Sequence, residues 1–269
     1  MNRTPARQGI PGDEDSGRVA DEPLSEVSLL RVWPDIAGSL APEERGAAER
    51  ALLAPLVSAR DQDLAAALEV EPGDAFNFVL VSGTVLKETT LASSSALELL
   101  GPGDVLAPPL SATRQLESRA ASRYLAFGDA SIATLGMRFE RVAMRWPQVS
   151  GFLHRQIAEQ AHRASMHLAM LHLPRAEDRI LALFADLGER FGRVTPDGIL
   201  IDLPLNHELI GRLTASRRPT ATIALQNLYQ QGLLTRHADN SWKLCRKFSM
   251  ELAGLEPATS WVRSRRSPN

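Results

Sequence analysis

The stretch Leu205–Arg236, LNHELIGRLTASRRPTATIALQNLYQQGLLTR, decides the fold. Asn206 is a good N-cap for a short helix over 207–213, in which Ile210 and Leu213 point inward at a three-residue step. Thr214, Ala215 and Ser216 make a tight turn, and Ser216 is placed to cap a second helix whose first turn holds Arg217, Arg218 and Pro219. Proline is tolerated there because first-turn amides have no intrahelical partner. Ala221, Leu225 and Leu228 form the buried face of that helix, and Gly232 ends it. Arg217, Arg218, Thr220, Thr222, Ile223 and Gln226 are left for the outer face. The continuation LLTRHADNSWKLC reads as a β-hairpin turning at Asp239-Asn240, a wing beside the helix pair.

Charge gives this element a chemistry. Between Leu209 and Ala238 there is no Asp or Glu, while Arg212, Arg217, Arg218 and Arg236 all fall inside. Over Pro174–Lys247, eleven Lys and Arg face eight Asp and Glu, a local excess of three. The whole chain, by contrast, is near neutral at −2, so its overall charge neither demands nor excludes a polyanionic partner. A compact helix pair with a basic rim suits double-stranded DNA: phosphates reward cations and the major groove admits one helix. Basic residues on a helix can also be an ordinary solvated face. That reading does not account for the missing acids, the two cap residues and the wing together.

Upstream, 269 residues with 44% hydrophobic and 23% charged content describe a globular chain of one large or two ordinary domains. Residues 1–25 are polar and rich in Gly, Pro, Asp and Glu, and are expected to be disordered. Pro42 opens a helix, PEERGAAERALLAPLVSA, with Glu43 and Glu44 favourably placed against its dipole. From Leu64 to about Phe127, short apolar runs are cut by Gly and Pro. FNFVLVSGTVL reads as strand, turn at Ser82-Gly83 and returning strand, and LELLGPGDVL reads the same way with its turn at 101–104. Strands at this spacing predict a small β-barrel or jelly roll over 26–147. A short helix over Ala130–Arg145 follows, then a long one over 148–173 in which Leu153, Ile157, Ala164, Leu168 and Leu171 share one side. Such a stripe is either a homodimer seam or a face packed on its own domain. PRAEDRILALFADLGERFG then gives a helix with Ile180, Leu183, Phe184 and Leu187 on its apolar face, and a domain boundary falls near Leu173. The fold class is therefore α+β: a β-rich first domain, a long helix, and a winged helix-turn-helix over 174–247. The tail 248–269 lacks a core pattern and is expected to be disordered, with Arg263, Arg265 and Arg266 able to add non-specific DNA affinity.

HELIGRLTASRRPTATIALQNLYQQGLLTR closely resembles the winged helix-turn-helix of the CRP/FNR family of bacterial transcription regulators, and LPRAEDRILALFADLGERFG resembles the helix that opens that family's DNA-binding domain. The upstream half fits more loosely, through its strands, GPGDV and the long helix. The resemblance spans about Ser28–Lys247. It implies a cyclic-nucleotide-binding-like sensor domain, a homodimer, double-stranded DNA as partner, and possible contact with RNA polymerase. Arg218 matches the family's base-reading arginine. Pro219 stands where several members have a base-reading Glu, and Ile223 where several have a second base-reading arginine. Asn206, His207, Arg212, Ser216, Arg217, Arg218, Thr220, Thr222, Ile223 and Gln226 form the expected DNA-binding set, with Arg212 and Arg217 assigned to phosphate.

Members that bind cyclic nucleotide carry a short helix with Gly-Glu and, several residues later, Arg-Ser. The equivalent stretch here, GDVLAPPLSATRQLESRAAS, puts Pro108 near the expected Glu, and Arg114, Arg119 and Arg123 lack the matching setting. No cyclic nucleotide is expected, and the effector is left open. Cys245 is the only cysteine, so one chain supplies neither a disulfide nor an iron–sulfur cluster. His154, His162, His167 and His172 do not share one face and read as solvated helix residues rather than haem ligands. No phosphate-binding loop, HExxH or GxSxG motif is present, so no enzyme, metal or cofactor is expected. No membrane span or secretory leader is read, and the cytoplasm is the expected compartment. Two further readings stay open: a small-molecule sensor whose winged helix makes protein contacts, and a non-specific DNA binder.

Overall fold

The structure, a computed structural model, describes residues 25–68, 75–107 and 120–245. The expectations for the two termini, for Pro108, Arg114 and Arg119 and for the tail arginines lie outside the described residues.

Two long strands organise the first domain. Strand β3 (Ala75–Leu91) and strand β6 (Ala120–Gly136) pair antiparallel along nearly their whole length. Strand β1 (Glu26–Ser28) pairs with β2 (Leu53–Arg60), and β2 pairs with the later part of β6. Strands β4 (Ser94–Leu100) and β5 (Val105–Leu106) both run along β3. The result is a six-stranded antiparallel sheet in the order β1-β2-β6-β3-β4, with β5 on β3; among the described residues no ladder closes it into a barrel.

Several local expectations are corrected. Ser82-Gly83 is not a hairpin turn, because β3 runs straight through it and both halves pair with β6. Register shifts at 80–84 mark a bulge, and Gly83 sits at φ +84° where a Cβ would lie 2.0 Å from the Asp129 carbonyl oxygen. The hairpin turn lies instead at Ala92-Ser93, between β3 and β4. The 101–104 turn exists, but β4 and β5 do not pair with each other. Both lie antiparallel to β3, so the turn interrupts a single edge. The helix from Pro42 ends at Ala51, and Leu53–Arg60 is strand, since Pro55 cannot sit inside a helix. Residues 130–136 belong to β6, and the helix after them is only Met137–Ala143.

Alternation along the long strands divides the core. Phe78, Leu80 and Val85 of β3, with Tyr124, Ala126 and Ile132 of β6, face one way into a cluster closed by Leu64, Leu68, Leu100 and Leu106. Val79, Ala133 and Leu135 face the other way, against helices α1 (Leu29–Val32), α2 (Pro34–Ser39) and α3 (Pro42–Ala51), which the sequence reading found only in part. Leu86 faces outward too, but with Leu97 and Leu99 of β4 it joins the core of the C-terminal domain. Two further helices of the first domain among the described residues are α4 (Ala65–Leu68) and α5 (Met137–Ala143).

The long helix is α6 (Pro147–Leu171), within three residues of its predicted bounds. It leads through Leu173-Pro174 into α7 (Ala176–Phe191), whose Ile180, Leu183, Phe184 and Leu187 are buried as the sequence implied. The hairpin β7 (Gly192–Thr195) and β8 (Gly198–Ile201), helices α8 (His207–Leu213) and α9 (Arg218–Gln230), and the hairpin β9 (Leu234–Arg236) and β10 (Trp242–Cys245) complete the domain. Its sheet runs β7-β8-β10-β9. Trp242 fills the centre, tilted against Phe184 at 5.0 Å, and its Nε1 donates to the Leu205 carbonyl at 3.1 Å. No described helix is long and apolar enough to cross a membrane.

Candidate nucleic-acid interface

The helix pair forms as its sequence prescribes. The Asn206 side chain accepts from the Leu209 amide at 2.8 Å, so it caps α8. The turn is built by backbone and hydroxyl bonds: the Ser216 amide donates to the Gly211 carbonyl at 2.7 Å, and the buried Thr214 hydroxyl donates to the Ile210 carbonyl at 2.8 Å. Ala215 takes the left-handed region at φ +48°, a conformation that costs a non-glycine residue of order 1 kcal/mol or more. Gly211 lets the turn close, since a Cβ there would meet the Ser216 carbonyl oxygen at 2.8 Å.

Ser216 does not cap the second helix. The N-cap is Arg217, without a side-chain cap bond, and Pro219 follows inside the first turn. The Ser216 hydroxyl lies one residue too early and is engaged elsewhere. It donates to the Thr214 carbonyl at 3.2 Å and accepts from Arg179 Nη2 at 2.9 Å.

The outer face of α9 is as expected except at Thr222. Ala221, Ala224, Leu225 and Leu228 are buried, while Arg217, Arg218, Thr220, Ile223 and Gln226 are exposed. Ile223 is 59% exposed. Thr222 is half-buried, with its hydroxyl 3.2 Å from Nδ1 of His207. His207 opens α8, and its pKa is held below the usual imidazole value, first by burial and then by the neighbouring Arg236 and Arg218. Thus His207, Thr222, Arg218 and the wing's Arg236 lie in one neighbourhood. Arg236 belongs to the basic rim read from sequence but not to the expected site. It lies 5.4 Å over the Trp242 ring and donates to the Asn240 side chain at 2.8 Å. The signal that could have included it is an arginine placed just before a hairpin turn.

Arg212 is placed differently from its expected role on phosphate. Its Nη2 donates to Glu88 of β3 at 2.5 Å, and that same buried carboxylate takes Arg123 at 2.6 Å. Arg212 therefore faces the first domain, a partner 124 residues away that no local pattern shows. Arg123, weighed in sequence for a ligand phosphate, is likewise committed to Glu88. His167 is also corrected: it is not a solvated helix residue. It lies between α6 and α7 near Glu98, Asp186 and Arg190, where burial lowers its pKa. His154, His162 and His172 are exposed as expected.

On α6, Ile157 (45% exposed) and Leu168 (59%) stand in solvent with Ala161 and Ala164 between them, while Leu153 and Leu171 are half-buried. The expected stripe is thus present and largely uncovered.

No established family profile matches the chain. The regulatory protein CysR of Synechococcus elongatus is 30% identical over 146 residues, covering 52% of this chain and 62% of the relative; the chain thus spans less than two thirds of that relative's length. Among solved structures, a mutant of CooA from Carboxydothermus hydrogenoformans superposes with a TM-score of 0.59 at 18% identity, over 86% of this chain and 97% of that one. FixK2 from Bradyrhizobium japonicum gives 0.56 at 23%, over 74% and 96%. A CRP/FNR-family transcriptional regulator from Thermus thermophilus gives 0.52 at 17%, over 74% and 98%. These neighbours are CRP/FNR transcription regulators rather than enzymes, and this chain has their α+β fold.

Proposed function

We propose that the protein is a homodimeric, sequence-specific DNA-binding transcription regulator. The observation that carries this reading is the N-terminus of α9: an exposed, acid-free surface of Arg217, Arg218, Thr220, Ile223 and Gln226 on a fully packed winged-helix domain. In this reading residues 26–147 form a sensor-like domain, 148–173 the dimer helix and 174–247 the DNA-reading domain. The uncovered Ile157–Leu168 stripe is the seam with a second copy. Two α9 helices about 34 Å apart then enter successive major grooves of a pseudo-palindromic site. Arg218 donates two bonds to a guanine edge, Ile223 offers an apolar contact to a thymine methyl, and Arg217 takes phosphate. RNA polymerase is a second partner in the cytoplasm. Gating by cyclic nucleotide is not part of the proposal, because the 103–122 stretch lacks the Gly-Glu and Arg-Ser pattern.

Selection of bound sequences from a random DNA library, without added ligand, is the direct test, and an enriched pseudo-palindrome is expected. Arg218→Ala should weaken binding to that site by about 5- to 150-fold, the range for loss of one bidentate base contact. Binding to random DNA should change little. Equal losses on both would make Arg218 a phosphate contact, and no enrichment for wild type would favour a sequence-tolerant binder.

A further inference from the structure

Arg179, in the first turns of α7, has no role legible in the sequence, yet all three nitrogens of its guanidinium donate hydrogen bonds. Nη1 donates to the Leu173 carbonyl at 2.7 Å, with the Pro174 carbonyl at 3.5 Å. Nε donates to the Thr214 carbonyl at 2.9 Å, and Nη2 donates to the Ser216 hydroxyl at 2.9 Å. One side of the fork thus grips the connection from the long helix into the C-terminal domain. The other grips the turn between α8 and α9.

We propose that Arg179 is the positioning residue that couples the α6–α7 hinge to the helix-turn-helix turn, and so sets the pose of Arg217 and Arg218 for DNA. This rests on the DNA-reading function proposed above. Three features make the turn dependent on it. Ala215 holds a left-handed backbone that it would not adopt unaided. Arg217, the N-cap of α9, supplies no side-chain bond to the helix. Ser216, the residue suited by type to cap it, lies one position before the N-cap, and its hydroxyl accepts from Arg179 instead. The entry angle of α9 is therefore held by a side chain from another helix as well as by the turn's own bonds to Ile210 and Gly211. Because the same guanidinium holds Leu173 and Pro174, a change in the direction of α6 at the hinge reaches the turn through a single rigid planar group. Lysine cannot substitute: it offers one nitrogen where three, in fixed geometry, serve two segments.

The test is Arg179→Lys in the full chain, with Ser216→Ala as a milder second variant that removes only the turn-side hydroxyl. Backbone amide hydrogen exchange, measured without DNA, is expected to quicken roughly tenfold or more at 172–176 and at 214–218 together in Arg179→Lys, while the buried face of α9 at Leu225 and Leu228 keeps its protection. Ser216→Ala should quicken only 214–218. Affinity for the selected site should fall about tenfold with non-specific affinity unchanged, so the ratio of the two drops. Unchanged exchange at either segment, or a uniform rise across the domain, would overturn the coupling. If the exchange result holds while wild type selects no DNA site, the coupling stands and the DNA-reading function fails.

Discussion

His207 sits beside the proposed DNA-reading face of α9, against Thr222 and close to two arginines. Its imidazole touches the Thr222 hydroxyl and lies near Arg218 and Arg236, and its pKa is lowered by burial first and by those two arginines next. In the free protein the neutral form is therefore favoured. As pH falls through the unfolded value near 6.5, this group subtracts stability, because the unfolded chain takes up the proton more readily. In the proposed complex a DNA phosphate beside His207 would reverse the local charge and raise its pKa, so that binding takes up a proton. Affinity for DNA should then tighten between about pH 8 and pH 6 at constant ionic strength, and His207→Gln should flatten that dependence. A slope that persists in the variant would place the proton elsewhere. At this scale the sequence is legible where partners are local: Asn206 caps as read because its acceptor lies three residues from its donor. Ser216 departs from its sequence reading because α9 starts one residue later than read and because the group that claims its hydroxyl, Arg179, lies 37 residues away. Arg212 departs for the same reason.

Helix α8, the turn and helix α9 act as one element because Gly211 allows them to touch. A Cβ at 211 would approach the Ser216 carbonyl oxygen to 2.8 Å, and a backbone atom cannot swing aside as a flexible side chain can. Gly211→Ala should therefore cost about 1–3 kcal/mol, the usual penalty for overpacking, despite the better helix propensity of alanine. Gly38 in α2 supplies the contrast, since a Cβ there meets nothing within 4 Å. Gly38→Ala should be neutral or stabilising by up to ~1 kcal/mol. Urea denaturation of the two variants checks both, and equal midpoints would remove the steric argument. Elements of the C-terminal domain are readable almost residue by residue, because short amphipathic helices with caps and turn residues carry their own boundaries. The first domain is less so. A 17-residue strand with a glycine bulge has the same local signature as two strands and a turn, and only the continuous pairing of both halves with β6 tells them apart. Short helices α1 and α2 give no sequence signal of comparable strength, since four and six residues hold little periodicity.

Across the whole molecule the two domains share a core and two carboxylates. Leu86, Leu97 and Leu99 of the sheet pack into the cluster built around Phe184, Leu213 and Trp242. Beside them Glu88 bridges Arg123 and Arg212, and Asp104 bridges Arg163 of α6 and Arg190 of α7 while accepting from the Gly101 amide at 2.8 Å. Each carboxylate is more than nine-tenths buried and serves two guanidiniums, so losing one leaves two cations under-partnered; Arg123 and Arg212 keep access to water, while Arg163 and Arg190 are more enclosed. Nothing in the sequence pairs Glu88 with Arg212, because the packing that brings β3 to α8 is tertiary. The Arg123 guanidinium beside Glu88 holds its carboxyl below the usual carboxylate range, with burial pulling the other way and Arg212 adding to the lowering. A depressed carboxyl contributes stability that is present above its unfolded pKa, near 4.5, and that is lost as pH falls through the folded value. Glu88→Gln should accordingly melt below wild type at pH 7, and the gap should close on acidification, because wild type then carries a protonated Glu88 that resembles the amide. Thermal melts of both proteins from about pH 7 down to pH 3 read this directly. Two parallel curves with a constant gap would mean that Glu88 matters by shape and not by charge, and the seam would then rest on Leu86, Leu97 and Leu99 and on the Asp104 bridge.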